Sequence, residues 1–448
     1  MLDALPLDAR AVAAAAALVA LPGVLVVRSP WRAMPLLSLA FWVTSWMWLD
    51  GGSRTQVLHG FLMVFGALVL FRIVRPGPLP RLGRAQLLVV LGAILVAVPQ
   101  ARRVVPAGTR APVDALAAEL LAWHDGWPAS FEPLSPRQPF QASGLAAIAA
   151  DVVLLSGAPA HRAVFAVTVA ADVLLLLALW SLAGTRAPPG RAAVVAAAAL
   201  LPAAAAAMAS GVLASAFAVE AVALWRDRRG HPSAFTAGAC VAAAIATDVT
   251  TAPCALLVAS LLSRIGPDPV ADRAPASPVP GRWRTAAWTA AVLALPLLWR
   301  RPPVEAPDLA SLAAVALGGL FGLAAGRRSV AEWRVVASGL VVVAAGGAFL
   351  GRAADVVTRD EEAAMTWIRD HARPLDLVCA PDVPAARWIP AIAGRPATVA
   401  MGPGRPVPAG ECAVRISLSG LAPPGALALD APAFRAGQAL VWTASQGR

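Results

Sequence analysis

The chain has 448 residues, of which 58% are hydrophobic and 14% charged, whereas a soluble domain carries about 25% charged residues. That excludes an ordinary soluble globule and a disordered chain, and it leaves a polytopic membrane protein. The net charge of +11 rests wholly on arginine and falls entirely within residues 1–354, because the last 94 residues balance nine Arg against nine acids; that argues against a nucleic-acid binder, which would carry a basic patch on a soluble face.

In chain order, apolar runs predict membrane helices near 11–27, 34–49, 56–75, 85–99, 162–183, 191–208, 211–225, 234–248, 251–263, 285–299, 309–325 and 332–350. Several fall short of the ~20 residues that cross the hydrocarbon, so their ends are soft. The first run is no cleaved signal peptide: its leader MLDALPLDAR is acidic and further spans follow at once. Arginine placement sets the orientation. One alternate set of connections, from Arg28 and Arg32 through Arg226, Arg228 and Arg229 to Arg334, holds 18 Arg against four acids. The other set, with the N-terminus and loop 100–161, holds ten of each. The first set therefore belongs in the cytoplasm. The N-terminus, loop 100–161 and the C-terminal domain belong outside the inner (plasma) membrane. The apolar stretch 141–156 carries Asp151 and would reverse every later connection if it spanned, so it is expected to lie as a helix on the outer membrane surface.

The outer loop 100–140 is long for a connection between spans and mixes acids, arginines, tryptophans and prolines. VDALAAELLAWHDG within it reads as a helix, with Asp114 in the first turn behind Pro112, Glu119 further on, and His124 and Asp125 at the far end. A first-turn carboxylate is favoured by the helix dipole alone, which is the structural reason for an acid at Asp114. Trp123 and Trp127 suit interfacial anchoring better than sugar stacking. Asp172, Glu220 and Asp248 are acids inside spans, where ionisable groups face a cavity or a partner. Pairing within the protein suits Asp172 and Glu220, while Asp248, near an outer end, is placed to face an active cavity.

Residues 355–448 change character. EEAAMTWIRDHA has helical spacing, PLDLVCAP reads as a short strand, ARWIPAIAGRPATVA as helix, turn and strand, and ECAVRISLSG and QALVWTAS as further strands. A small α/β domain outside the membrane fits, without a Gly-rich phosphate loop. Cys240 and Cys254 fall in spans as packing residues, while Cys379 and Cys412 share the outer domain, where a disulfide is open to them. No CxxC or paired-His metal spacing occurs.

From Asp114 to Arg162 the sequence resembles the first outer loop of the GT-C superfamily of membrane glycosyltransferases, in the manner of protein mannosyltransferases. The carriers are an acid soon after a core span, a short helix, the phrase Pro128-Ala129-Ser130-Phe131-Glu132-Pro133-Leu134, a surface helix, and a span opening with His161-Arg162-Ala163. The later rhythm is similar too: LWRDRR, the Thr247-Asp248-Val249-Thr250 turn, the Trp367-Ile368-Arg369 helix and Trp388-Ile389-Pro390-Ala391. The resemblance spans about 85–448. It implies a GT-C-like core at 85–354, three added N-terminal spans in 1–84, and an extracytoplasmic domain at 355–448. It also implies transfer of a hexose or pentose from a polyprenyl-phosphate donor, with membrane lipids as further partners, to a glycan, lipid or protein acceptor.

In that chemistry a carboxylate takes the proton of the acceptor hydroxyl, which makes Asp114 the expected catalytic residue. Cations meet the departing phosphate. The outer arginines include Arg102, Arg103, Arg110, Arg137, Arg162, Arg300 and Arg301, which snorkelling or pairing with loop acids would also explain. Arg162 leads as the span-opening arginine, and Glu132, His124, Asp248, Arg137, Arg300 and Arg301 complete the expected substrate-binding set. No cofactor is firmly implied and no residue is assigned to a metal; a divalent ion stays open. The family's second acid or histidine after the first is here Ala115 to Ala118, and the Lys or His of the Thr-x-x-Thr turn is Asp248. Those departures keep open a catalytically inactive scaffold, and the acids within spans keep open a transporter or lipid-handling protein.

Overall fold

The computed structural model describes residues 8–20, 34–48, 54–74, 104–106, 110–124, 127–135, 140–183, 209–226, 231–265, 281–298, 307–316, 356–399, 412–421 and 432–443. The protein is chiefly helical with one small sheet. The first part comprises α1 (Ala9–Ala20), α2 (Met34–Trp48), α3 (Arg54–Val74), α4 (Ala111–Trp123), α5 (Gly144–Ser156), α6 (Ala160–Ala183), α7 (Ala209–Arg226), α8 (His231–Thr247), α9 (Thr251–Ile265), α10 (Arg282–Ala294) and a further helix at 309–316. The expected spans near 162–183, 211–225, 234–248 and 251–263 coincide with α6 to α9 within three residues at each end. Among the described residues, Ala160–Leu179 and Ala209–Arg226 are long and apolar enough to cross a membrane. The spans expected at 85–99, 191–208 and 332–350, and most of 309–325, lie outside the described residues.

Small residues set the packing. Gly144, at the start of α5, has no room for a β-carbon, which would meet the Thr247 hydroxyl and stand 3.0 Å from a Val43 methyl. The beginning of α5 is thereby pressed between the ends of α2 and α8. Helix α5 is covered by protein on all sides: every residue from Gly144 to Leu154 is buried, and α1, α2, α4 and α6 all pack on it. The physical reason is in its composition. GLAAIAADVVLLS has no polar face to offer to water beyond Asp151, and Asp151 accepts a 2.9 Å hydrogen bond from the Trp46 indole of α2. The first two helices thus have a place: α1 and α2 cover α5 and supply the partner of its one carboxylate.

The C-terminal domain comprises α11 (Arg359–His371), β1 (Val378–Cys379), a 3₁₀ turn at Pro384–Trp388, α12 (Ile389–Ala393), β2 (Val414–Ile416), β3 (Phe434–Ala436) and β4 (Ala439–Thr443). Strand order is β1-β2-β4-β3, with β1 and β2 parallel and the other neighbours antiparallel. Helix α11 begins with a reciprocal cap: Thr358 Oγ1 accepts from the Glu361 amide and Glu361 Oε2 accepts from the Thr358 amide. The other Glu361 oxygen accepts from the Ser419 amide and hydroxyl, which ties the helix to the sheet. Ala364, Met365 and Ile368 turn inward, and Trp388 fills the core beneath. Of the strand expected after Gly394, only a bridge between Val378 and Ala397 forms, and β3 is an added edge strand.

Cys379 and Cys412 are bonded across a separation of 33 residues, at the β1–β2 edge. Closing a loop of that length removes unfolded-state entropy worth about 4 kcal/mol. Replacing both cysteines by serine is expected to lower the stability of the domain by about that amount, read as a lower urea midpoint in pulse proteolysis; an unchanged midpoint would contradict it.

Candidate active site

Helix α4 starts where Pro112 sets the first-turn geometry, and this places Asp114 one turn from Arg110. Both side chains are buried. Asp114 Oδ1 accepts from the Arg110 Nε at 3.3 Å and from the Ser143 hydroxyl at 2.8 Å. Ser143 is also the N-cap of α5, its oxygen accepting from the Ala146 amide at 3.2 Å. One hydroxyl therefore joins the starts of two helices and a carboxylate. Burial pushes the Asp114 carboxyl above the ordinary aspartate value; Arg110 and Ser143 oppose the shift, and the charge of Asp248 adds to it.

Asp248 stands in the α8–α9 turn. It accepts from the amides of Thr250 and Thr251 at 3.0 and 2.9 Å and from both threonine hydroxyls at 2.8 Å, the pattern of a helix N-cap. Thr251 Oγ1 in turn accepts from the Asp308 amide at 2.9 Å. Asp308 caps the 309–316 helix through the Ala310 amide and the Ser311 hydroxyl, and Gly211 of α7 lies against it with no space for a side chain. The start of α4, the start of α5, the α8–α9 turn, the start of α7 and the start of 309–316 thus meet. Among the described residues, no group of three or more His, Cys, Asp or Glu is gathered to hold a metal ion.

A second polar cluster lies where the C-terminal domain meets the helices. Glu362 of α11 accepts from the Arg162 guanidinium through both oxygens, at 2.5 and 2.6 Å, and lies 3.0 Å from His161 Nε2. Burial alone would raise the Glu362 pKa; His161 and Arg162 outweigh it and hold the carboxyl below the usual glutamate value. The Glu119 carboxyl of α4 is raised by burial, and the charge of Arg369, two turns along α11, together with bonds from Ala160 and Trp123, eases it back. An acid of the domain thus meets a cation at the start of α6, and a cation of the domain acts on an acid of α4 through its charge. Helix α12 packs on α4 and α6 beside it.

The remaining expected residues are spread out. His124 is exposed at the far end of α4, about 15 Å from Asp114 along the helix. Glu132 is exposed in the turn after Ser130. Arg137, Arg300 and Arg301 lie outside the described residues. Trp123 is exposed, while Trp127 packs edge-on against Phe140. In the spans, Glu220 accepts from Ser181 of α6 at 3.5 Å. At the centre of the cluster, Ser143 was not singled out by sequence, and Arg110 was named only among the outer arginines and not as the partner of Asp114. The Arg110–Asp114 pair carries a legible signal, opposite charges one helical turn apart. Ser143 is readable as an N-cap before an apolar run, but its bond to Asp114 joins segments 29 residues apart. No family model, curated protein or solved structure matches the chain.

The Glu362 contact has a defined pH signature. The carboxylate is the bonded form and its pKa is lowered in the folded state, so its stabilisation is complete above the ordinary glutamate range. It is lost as pH falls through the lowered value. Glu362→Gln is expected to reduce stability by about 2 kcal/mol at neutral pH. The gap in melting temperature between wild type and variant should close in acid; a gap that does not change with pH would contradict the assignment.

Proposed function

We propose that the protein is a GT-C-type membrane glycosyltransferase. In this reading about twelve spans cross the plasma membrane, with the N-terminus and the C-terminal domain outside. It moves a sugar from a polyprenyl phosphate to a glycan, lipid or protein acceptor. One observation carries the reading: a buried carboxylate of raised proton affinity, Asp114, at the point where five expected outer-side chain segments converge. The bonded cysteines of the C-terminal domain support an oxidising compartment on that side.

In the proposed reaction Asp114 takes the proton of the acceptor hydroxyl. The hydroxyl oxygen attacks the anomeric carbon from the face opposite the phosphate, the bond from that carbon to the phosphate oxygen breaks, and the configuration inverts. Both bonds to Asp114 fall on Oδ1, which leaves Oδ2 to receive the proton. A desolvated carboxylate is the stronger base, and Arg110 beside it supplies a cation for the charge that develops on the leaving phosphate. Asp248, engaged in its turn, acts through its charge on Asp114.

The grip of Glu362 on Arg162 favours a second reading, a catalytically inactive relative whose C-terminal domain holds the arginine that a lipid phosphate would otherwise meet. Sugar release from a panel of polyprenyl-phosphate sugars, by the protein in nanodiscs, separates the two. Asp114→Asn is expected to cut release by about 10²–10⁴-fold with folding intact. A folded, fully active variant would remove Asp114 from the mechanism, and a folded wild type that releases nothing would favour the scaffold.

A further inference from the structure

Toward the other end of α7, the structure holds a cavity with no part in the reaction above. Gly211 touches the Asp308 cap, and Arg226 stands about 22 Å further along the same helix. There α7, α8, α9 and α10 enclose about 450 Å³, within the range that holds small amphiphilic ligands. Ala221, Val222, Val241 and Leu256 make an apolar wall, while Arg226, Ser260 and Ser263 bring polar groups to it. The end of α7 is braced from outside: Arg282 of α10 donates to the Leu224 and Trp225 carbonyls at 3.3 and 2.9 Å, and its guanidinium stands 5.1 Å from the centre of the Trp225 ring. Chain neighbours of the lining residues, Leu257, Leu261 and Trp288, are more than half exposed. An occupant reaches the cavity across an apolar surface.

We propose that this cavity binds an anionic phospholipid, with its phosphate against Arg226 and the upper part of an acyl chain along the Ala221–Leu256 wall. The inference rests on the membrane reading above, though not on sugar transfer. Charge complementarity selects the headgroup: Arg226, Arg282 and Arg284 stand at this end of the bundle, and the sequence next to α7 and at the end of α9 adds Arg228, Arg229 and Arg264, with Asp227 the one acid among 226–229. Basic pockets between helices on the cytoplasmic side take acidic headgroups for this reason, since the arginine fork matches phosphate oxygens and the chain avoids water. A zwitterionic lipid would fill the same apolar wall without the net attraction.

The test uses the full chain in nanodiscs carrying brominated phosphatidylglycerol or brominated phosphatidylcholine at equal mole fraction. The Trp225 share of fluorescence is taken as wild type minus Trp225→Phe. Brominated phosphatidylglycerol is expected to quench that share about fivefold more effectively. Arg226→Gln should abolish the preference, and Ser260→Leu, which fills the cavity at unchanged charge, should reduce quenching by both lipids. Equal quenching in wild type, or a preference that survives Arg226→Gln, would overturn the proposal. Failure of the membrane reading is distinct: the exposed Trp283 and Trp288 would then escape quenching by either lipid.

Discussion

A carboxylate removed from water must be bonded or neutral, because an isolated buried charge is too costly to keep. Asp114 meets that constraint at the start of α4, and the surrounding architecture follows from it. Arg110 supplies a cation one turn away and Ser143 supplies a hydroxyl from the cap of α5. For Ser143 to reach, α5 must begin beside α4, and for α5 to begin there, position 144 must lack a side chain against α8 and α2. The same wedge brings the Asp248 turn close enough for its charge to push the Asp114 pKa up. Caps that ordinarily finish helices one by one are here shared between helices: Ser143 serves α5 and Asp114, and Thr251 serves Asp248 and the Asp308 amide. The outcome is a rigid polar junction inside an apolar bundle, built from helix starts whose amides favour negative charge.

The C-terminal domain closes over this region through complementary charge. Glu362 and Arg369 lie on one face of α11, seven residues apart; Glu362 binds Arg162 with His161, and the charge of Arg369 acts on Glu119. The domain is stiffened from within by the Thr358–Glu361 cap, by the Cys379–Cys412 bond, and by Arg395, which donates to the Arg369 and Ala372 carbonyls at the end of α11. A stiff domain held through an arginine beside the junction couples the two halves of the chain. Release of Glu362 from Arg162 would loosen the domain.

Helix positions in the apolar part were legible because composition is one-sided there. The α8–α9 break at Asp248-Val249-Thr250 and the ends of α6 and α7 follow from where apolar runs stop. Asp114 was legible as a candidate because an acid in a mixed outer loop stands out. Its partners were less so: a bond such as Ser143 to Asp114 depends on how two helices pack, which periodicity does not encode. The burial of α5 among four other helices was illegible for the same reason, since a short apolar helix looks alike whether lipid or other helices cover it. Arg162 was expected to meet phosphate, and its tie to Glu362 spans 200 residues of sequence with no local signal. In the C-terminal domain the three-residue β3 is too short to show alternation.

In the proposed reaction a lipid-phosphate sugar sits over the Asp114 junction. Photolabelling with a polyprenyl-phosphate sugar that carries a diazirine beside the phosphate, followed by mapping of the labelled residues, tests this placement. Label is expected in 110–114, 143–147 and 247–251, competed away by unlabelled donor. Label that is confined to the α7–α10 cavity, or that unlabelled donor fails to displace, would contradict it.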